Sequence, residues 1–325
     1  MTEVGELDAR LANDQHLQGA STSTMIDGSA AGTRVLTVHS AGGLHARVLL
    51  DRGLDVGATW YAGQPVSWTS PSGERRPGHA GSGEEWHRGW AGGLLTTCGL
   101  RHIGPPRGGR GRHGSFSDQP AEDVTVARGR DDDRRVLEVC GSVRDTDGLD
   151  RGLMLRRSLR WFLGEGRLQV RDEVVNETGR PLSAPILYHL NFGHPFLVAE
   201  SVTSLRGLRR GDGFTARMGD PATAPDEVVE HRAEVATGRA GVTITAPGLG
   251  QRLVVDWLVS ELGRAHTWRR REPGCYVHAV EPANAALTAD SHDPWPVLAP
   301  GECRTTGFNL TVGPDDADHP DAPDI

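Results

Sequence analysis

Between residues 33 and 68 the chain places four short β-type runs in under forty positions, at 33–39, 44–50, 56–61 and 64–68. Ala41-Gly42-Gly43, Arg52-Gly53 and Ala62-Gly63 punctuate them, leaving connections of two to five residues. A parallel pair needs a crossover of a dozen residues or more, so these strands can only be antiparallel. The pattern resumes at 122–128, 134–143, 153–162, 167–176 and 185–191, and again at 228–236, 241–246, 252–260, 275–280 and 305–312. In 167–176 the residues Leu168, Val170, Asp172 and Val174 share one face by strand alternation, with Asp172 the only polar intruder. No twelve-residue segment carries a 3.6-residue period. Over a dozen strands without crossover helices describe an all-β chain, a large antiparallel sandwich with few short helices.

The ends of the chain differ from this body. Residues 1–27 read as a polar N-terminal extension, with a helical turn or two at 8–17 and a linker-like stretch at 19–24. The β domain is expected over 28–312, and 313–325 reads as an acidic, proline-rich solvated tail. Residues 70–112 interrupt the β pattern. They are rich in Gly, Pro and Arg, hold Trp86 and Trp90, and contain the apolar patch Gly92-Gly93-Leu94-Leu95-Thr96-Thr97-Cys98-Gly99-Leu100. A loop of this length is usually functional or disordered. Its tryptophans, costly to leave in water, favour an ordered loop facing a ligand.

Composition removes several function classes. The net charge of −8 argues against nucleic acid or an anionic membrane as partner. The Arg-Gly-Gly-Arg-Gly-Arg-His stretch ending at His113 is too short, in too acidic a chain, to act as an RNA-binding tract. All 35 basic residues are arginine, which excludes Schiff-base lysine chemistry and a phosphate-binding P-loop together. The four cysteines are far apart and form no CxxC pair. With no signal-like apolar segment, they read as reduced thiols of a cytoplasmic protein. No apolar run approaches the ~20 residues that span a bilayer. The 14 histidines show no HxH, HxxH or HExxH spacing, so no metal and no other cofactor is expected. No GxSxG elbow is present, and Cys98 has no base beside it in sequence.

Three constellations remain. In Pro-Ile-Leu-Tyr-His-Leu-Asn-Phe-Gly-His-Pro (185 to 195), His189 and Asn191 lie two apart and share a strand face opposite Tyr188 and Leu190. A histidine and an amide side by side before a sharp turn can floor a polar pocket, although a lone histidine is more often a hydrogen-bonded core residue. Glu281 ends the run Tyr276-Val277-His278-Ala279-Val280, and Pro282 is expected to stop that strand. Apolar neighbours there would raise the Glu281 pKa by desolvation and make it a usable base; a surface carboxylate is the alternative. The loop contributes Arg88, Thr96, Thr97, His102 and His113, residue types that give directional hydrogen bonds to sugar hydroxyls. Asp51-Arg52-Gly53-Leu54-Asp55 is read instead as a turn tied by an Arg–Asp pair.

Four segments in order then carry a resemblance: His113-Gly114 after the Gly-rich loop, His189-Leu190-Asn191-Phe192, Glu281-Pro282, and Leu298-Ala299-Pro300-Gly301-Glu302. Over 28–312 the chain resembles the galactose mutarotase (aldose 1-epimerase) superfamily. It is most similar to a subgroup carrying Arg-Gly-Leu-Asp (52 to 55), the 92-to-100 patch and Tyr-His-Leu-Asn-Phe-Gly (188 to 193). The resemblance implies a β-supersandwich that binds a sugar on an open concave face. It also implies an isomerase active in carbohydrate metabolism, with a small-molecule sugar as partner. His189 would be the general acid and Glu281 the general base, with His113 and Arg88 binding substrate and Asn191 and Thr97 beside them. The family's binding aspartate has no match; Glu230-His231 falls in its region. Other proton-transfer chemistry on a sugar, such as isomerisation, epimerisation at another carbon or elimination from an oxidised sugar, stays open beside mutarotation. So does carbohydrate binding without catalysis.

Overall fold

Strand alternation decides which side chains the fold can bury, and in this chain it builds two large antiparallel sheets. The computed structural model describes residues 12–78, 86–146, 148–234 and 238–315. The first sheet begins at one edge with β1 (Gln18–Thr24), β2 (Arg34–Ser40), β3 (Leu44–Leu49) and β4 (Asp55–Tyr61), to which the short β5 (Gln64–Pro65) attaches. It continues through β6 (Leu95–Gly99), β12 (Ile186–Gly193), β19 (Cys275–Ala283), β18 (Arg264–Glu272), β15 (Glu227–Ala233) and β14 (Leu208–Arg209). The second sheet runs β13 (Thr203–Arg206), β16 (Arg239–Ala246), β17 (Gln251–Leu258) and β21 (Cys303–Pro314). It is completed by β10 (Arg167–Asn176), β9 (Leu153–Phe162), β8 (Arg134–Asp145) and β7 (Ala121–Asp131). The two-residue β11 (Leu182–Ser183) and β20 (Val297–Leu298) pair with each other. Among the described residues the one α-helix is the single turn α1 (Trp86–Gly89).

Leu168, Val170 and Val174 turn into the space between the sheets, with Trp161, Tyr188, Leu190 and Phe308 in the same cluster. Asp172, the polar intruder, goes in with them and finds a full set of partners. Arg157 of β9 donates to it through Nε (2.9 Å) and Nη2 (2.7 Å), and the Tyr188 hydroxyl donates at 2.8 Å. Arg157 also reaches the first sheet, donating to Asp55 Oδ1 (2.8 Å) and Thr97 Oγ1 (2.8 Å). The network therefore ties β9 and β10 to β4, β6 and β12. By alternation it holds Tyr188 inward and turns His189 to the opposite face of β12. All eight residues of β12 are buried, because the loop before residue 113 covers its outer face. A strand covered on both faces reads as a near-continuous apolar run.

Three expectations change. The stretch 19–24 is not a linker: it lies in β1, paired residue for residue with β2. Pro282 does not stop its strand, and β19 continues to Ala283. Its missing N–H falls where no residue pair is formed with β12 between Leu187↔Ala283 and Leu190↔Val280. Arg52 does not pair with Asp55; it faces Asp118 at 3.4 Å, while Asp55 takes Arg157. The helical turn expected at 8–17 is described only from residue 12, where Asp14–His16 form one 3-10 turn. Residues 316–325 of the expected tail lie outside the described residues. No described helix is long and apolar enough to cross a membrane, and the four cysteines are free thiols.

Candidate active site

Four adjacent strands of the first sheet, β12, β19, β18 and β15, floor a cleft of about 160 Å³. His189 and Glu281 face each other across it, His189 Nε2 lying 3.3 Å from Glu281 Oε1 with both side chains at most 5% exposed. α1 and the residue after it form the roof. The Trp86 and Trp90 rings stack with centroids 4.9 Å apart, and Trp90 meets His189 edge-on at 5.2 Å. Trp90 is fixed by its indole N–H, which donates to Thr96 Oγ1 at 3.1 Å. Trp268 of β18, opposite Ala279 of β19, closes the aromatic wall at 5.8 Å from His189. Its indole N–H donates to Asp226 at 3.1 Å. The tryptophans of the 70–112 region thus form an ordered, cleft-facing wall, and no strong alternation was needed to place them.

His113 is locked by Gly104. The His113 N–H donates to the Gly104 carbonyl (2.8 Å), and the Gly104 N–H donates back to His113 Nδ1 (3.3 Å). With Nδ1 used as an acceptor, the remaining proton of the neutral ring is on Nε2, which makes His113 a hydrogen-bond donor. Gly104 is required there: its φ is +79°, and a Cβ would meet the Leu287 carbonyl oxygen at 2.0 Å. Burial holds the His113 imidazole well below its ordinary range, with His189 adding to the effect.

The charges of the central pair follow from burial. Burial lowers His189 to about 4, against the opposing pull of Asn191. Burial alone raises Glu281 to about 8. Burial thus favours the neutral form of each group, the free imidazole of His189 and the protonated carboxyl of Glu281. This reverses the resting states that the resemblance implies for the acid and the base. The physical cause is a cleft that penalises the imidazolium and the carboxylate alike.

Three other expected residues fall elsewhere. Thr97 turns inward to the inter-sheet network, donating to Asp55 Oδ1 at 2.6 Å, so it cannot touch a ligand on the opposite face. Arg88 is exposed on α1 and does not line the cleft; the arginine that does is Arg112. Asn191 lies beneath the cleft, donating to the Gly93 and His189 carbonyls at 3.0 Å each, with its Oδ1 buried and unpartnered. Trp268, Asp226 and His266 were not singled out by the sequence. A signal for them existed. Pro273-Gly274 is a two-residue hairpin connection, and counting back from it sets His266 opposite Glu281, as observed. No group of three or more metal-ligating side chains occurs among the described residues.

The DUF4432 family, a domain of unknown function, matches residues 30–312. A search of curated proteins gave no match. Among solved structures, a candidate aldose 1-epimerase from Klebsiella pneumoniae superposes with a TM-score of 0.79 at 17% identity, covering 94% of this chain and 89% of that one. A galactose mutarotase-like protein from Clostridium acetobutylicum gives 0.65 at 14% identity, covering 92% and 99%. A candidate mutarotase from Salmonella typhimurium gives 0.60 at 14%, covering 96% and 100%. The fold is that of the galactose mutarotase-like sandwich.

Proposed function

The chain belongs to the DUF4432 family on a galactose mutarotase-like fold, and from that premise we propose that it is a carbohydrate-active acid–base enzyme of aldose 1-epimerase type. The observation that carries this reading is the 3.3 Å contact between two buried, oppositely tuned groups, His189 and Glu281, under an aromatic roof. Ring opening of an aldose needs one proton removed from the anomeric hydroxyl and one delivered to the ring oxygen. Both oxygens are bonded to C1, so an acid and a base already in contact can serve them together. Entry of the sugar brings hydroxyls into the cleft and lowers the cost of separating charge. The proton then passes from Glu281 to His189 across their contact. Glu281 takes the anomeric proton, His189 gives one to the ring oxygen, and the C1–C2 bond rotates. Closure on the other face restores both groups. Each positioned group contributes about 10²–10⁴ in rate. In this reading His113 Nε2–H and Arg112, which line the cleft, donate to the sugar, and the tryptophans cover its apolar faces.

Saturation-transfer NMR of anomeric exchange across a panel of free aldoses tests this, with wild type beside His189→Asn. Fast exchange for at least one sugar, lost in the variant, is expected. Folded wild-type protein that exchanges none of them overturns the mutarotase assignment.

A further inference from the structure

Asn191 sits beneath the cleft, out of reach of a sugar, and its place on β12 gives it a different task. It follows His189 by two residues, so both side chains leave the strand on the same face. Asn191 is 0% exposed and His189 4%. The amide Nδ2 of Asn191 donates to the Gly93 carbonyl and to the His189 carbonyl, at 3.0 Å each, which uses both of its hydrogens. These two bonds fix the amide's orientation. Turned over, it would set its oxygen against two carbonyl oxygens and leave all three without a donor. Oδ1 is therefore the free end of the group, and an amide oxygen only accepts.

His189 turns Nε2 toward Glu281 Oε1, so Nδ1 is the end that Glu281 does not face. The rings of Trp86, Trp90, Trp268 and His113 surround the imidazole with centroids 5.2 to 6.3 Å away. None of them brings Nδ1 an acceptor. An indole N–H only donates, and the acceptor nitrogen of His113 is taken by the Gly104 N–H. His189 Nδ1 and Asn191 Oδ1 are both buried, and neither meets a partner at standard hydrogen-bonding geometry. They are coupled all the same. After burial, hydrogen bonding by the Asn191 side chain is the largest influence on His189, and it pulls the imidazole upward. An amide oxygen does this by accepting from the ring N–H.

We infer that Asn191 is a positioning residue that fixes the tautomer of His189: its Oδ1 takes the Nδ1 hydrogen and leaves Nε2 as the bare nitrogen facing Glu281. In the other tautomer the Nδ1 lone pair would stand against the Oδ1 lone pairs, and Asn191 could not turn a hydrogen to it without giving up its two carbonyls. This role rests on the reading of His189 and Glu281 as an acid–base pair, and it supplies what transfer between them needs. When both groups are neutral, the Glu281 O–H can pass its hydrogen only to a nitrogen that carries none. The O–H bond breaks and the Nε2–H bond forms, while Nδ1–H stays with Asn191. The hydrogen then on Nε2 is the one that goes to the ring oxygen, so all proton traffic runs through a single nitrogen.

Long-range proton–nitrogen correlation NMR reads the tautomer in the wild-type protein. The His189 signals are those that His189→Asn removes, recorded at pH 8, where a ring held at about 4 is neutral. A hydrogen on Nδ1 and a bare Nε2 are expected; a hydrogen on Nε2 overturns the inference. Asn191→Leu keeps the volume and removes the oxygen. It should shift His189 toward a mixture of tautomers and lower kcat for anomeric exchange by about 10–100-fold, with KM unchanged. Asn191→Asp keeps an acceptor oxygen and should keep the Nδ1–H tautomer. An unaltered tautomer in folded Asn191→Leu also overturns the inference, and if that variant does not fold, the wild-type spectrum still decides. If Nδ1 carries the hydrogen but no sugar is anomerised, the positioning role stands and the mutarotase reading falls. If sugars exchange while Nε2 carries it, the reading stands and the positioning role falls.

Discussion

Two buried polar clusters lie back to back on β12, and they differ in one respect. Toward the second sheet, Arg157, Asp172, Asp55, Thr97 and Tyr188 satisfy one another: the guanidinium uses all three nitrogens, and both carboxylates accept from it. Toward the cleft, His189 Nδ1, Asn191 Oδ1 and both ring nitrogens of His266 are buried with no hydrogen-bond partner. A buried unsatisfied group costs about 1–3 kcal/mol, and here several of them gather on one face of three adjacent strands. Burial and charge are common to both clusters, so neither separates structure from chemistry. Completeness of pairing does. The closed cluster ties the two sheets together, and the open one leaves polar atoms unpaired.

Substitution can break this contrast from either side. Arg157→Leu strands two carboxyls in the core and should lower stability by about 3–5 kcal/mol, read as the urea midpoint. A shift below about 1 kcal/mol would mean that the network does not hold the sheets. Glu281→Gln and His189→Asn should each slow anomeric exchange by about 10²–10⁴-fold and leave the fold intact at neutral pH, which circular dichroism and exchange NMR check together. Thr97→Val sharpens the comparison, because Thr97 adjoins the site in sequence but belongs to the closed cluster. It should lose about 1–3 kcal/mol through unpaired Asp55 and Arg157 atoms and leave the KM for the sugar unchanged. The smallest effect is expected at Arg88→Ala, with neither urea midpoint nor KM moved, whereas Arg112→Ala should raise KM.

What was legible in the sequence follows the same division. β9 and β10 were readable to the residue because one face is apolar and the other wet. His189 and Glu281 stood out because each interrupts an apolar run near a turn, and His113 because it closes the Gly-rich loop. β1 was not, since Gln-Gly-Ala-Ser-Thr-Ser-Thr at a sheet edge lacks apolar alternation. β18 was hidden for the opposite reason: its cleft face carries Arg264, His266 and Trp268, which look like a solvated segment until a partner strand is known. Arg88 was misplaced because loop sequence does not state which way a side chain turns, and Thr97 because 95–99, read as part of the loop, forms β6. Pro282 misled because a proline inside a sheet is tolerated only where the facing strand makes no bond to it.

The most direct test of the open cluster is the urea midpoint of Glu281→Gln against wild type at pH 5 and pH 9. The folded-state value of Glu281, about 8, lies above its ordinary 4.5. Its contribution to stability is therefore complete below 4.5 and lost as pH rises through 8. At pH 9 the wild type must bury a carboxylate that glutamine spares the variant. The variant should then be the more stable protein by on the order of a few kcal/mol, with a much smaller difference at pH 5. A variant that is the less stable protein at both pH values, as expected for Arg157→Leu, would make Glu281 a structural ion and contradict the account.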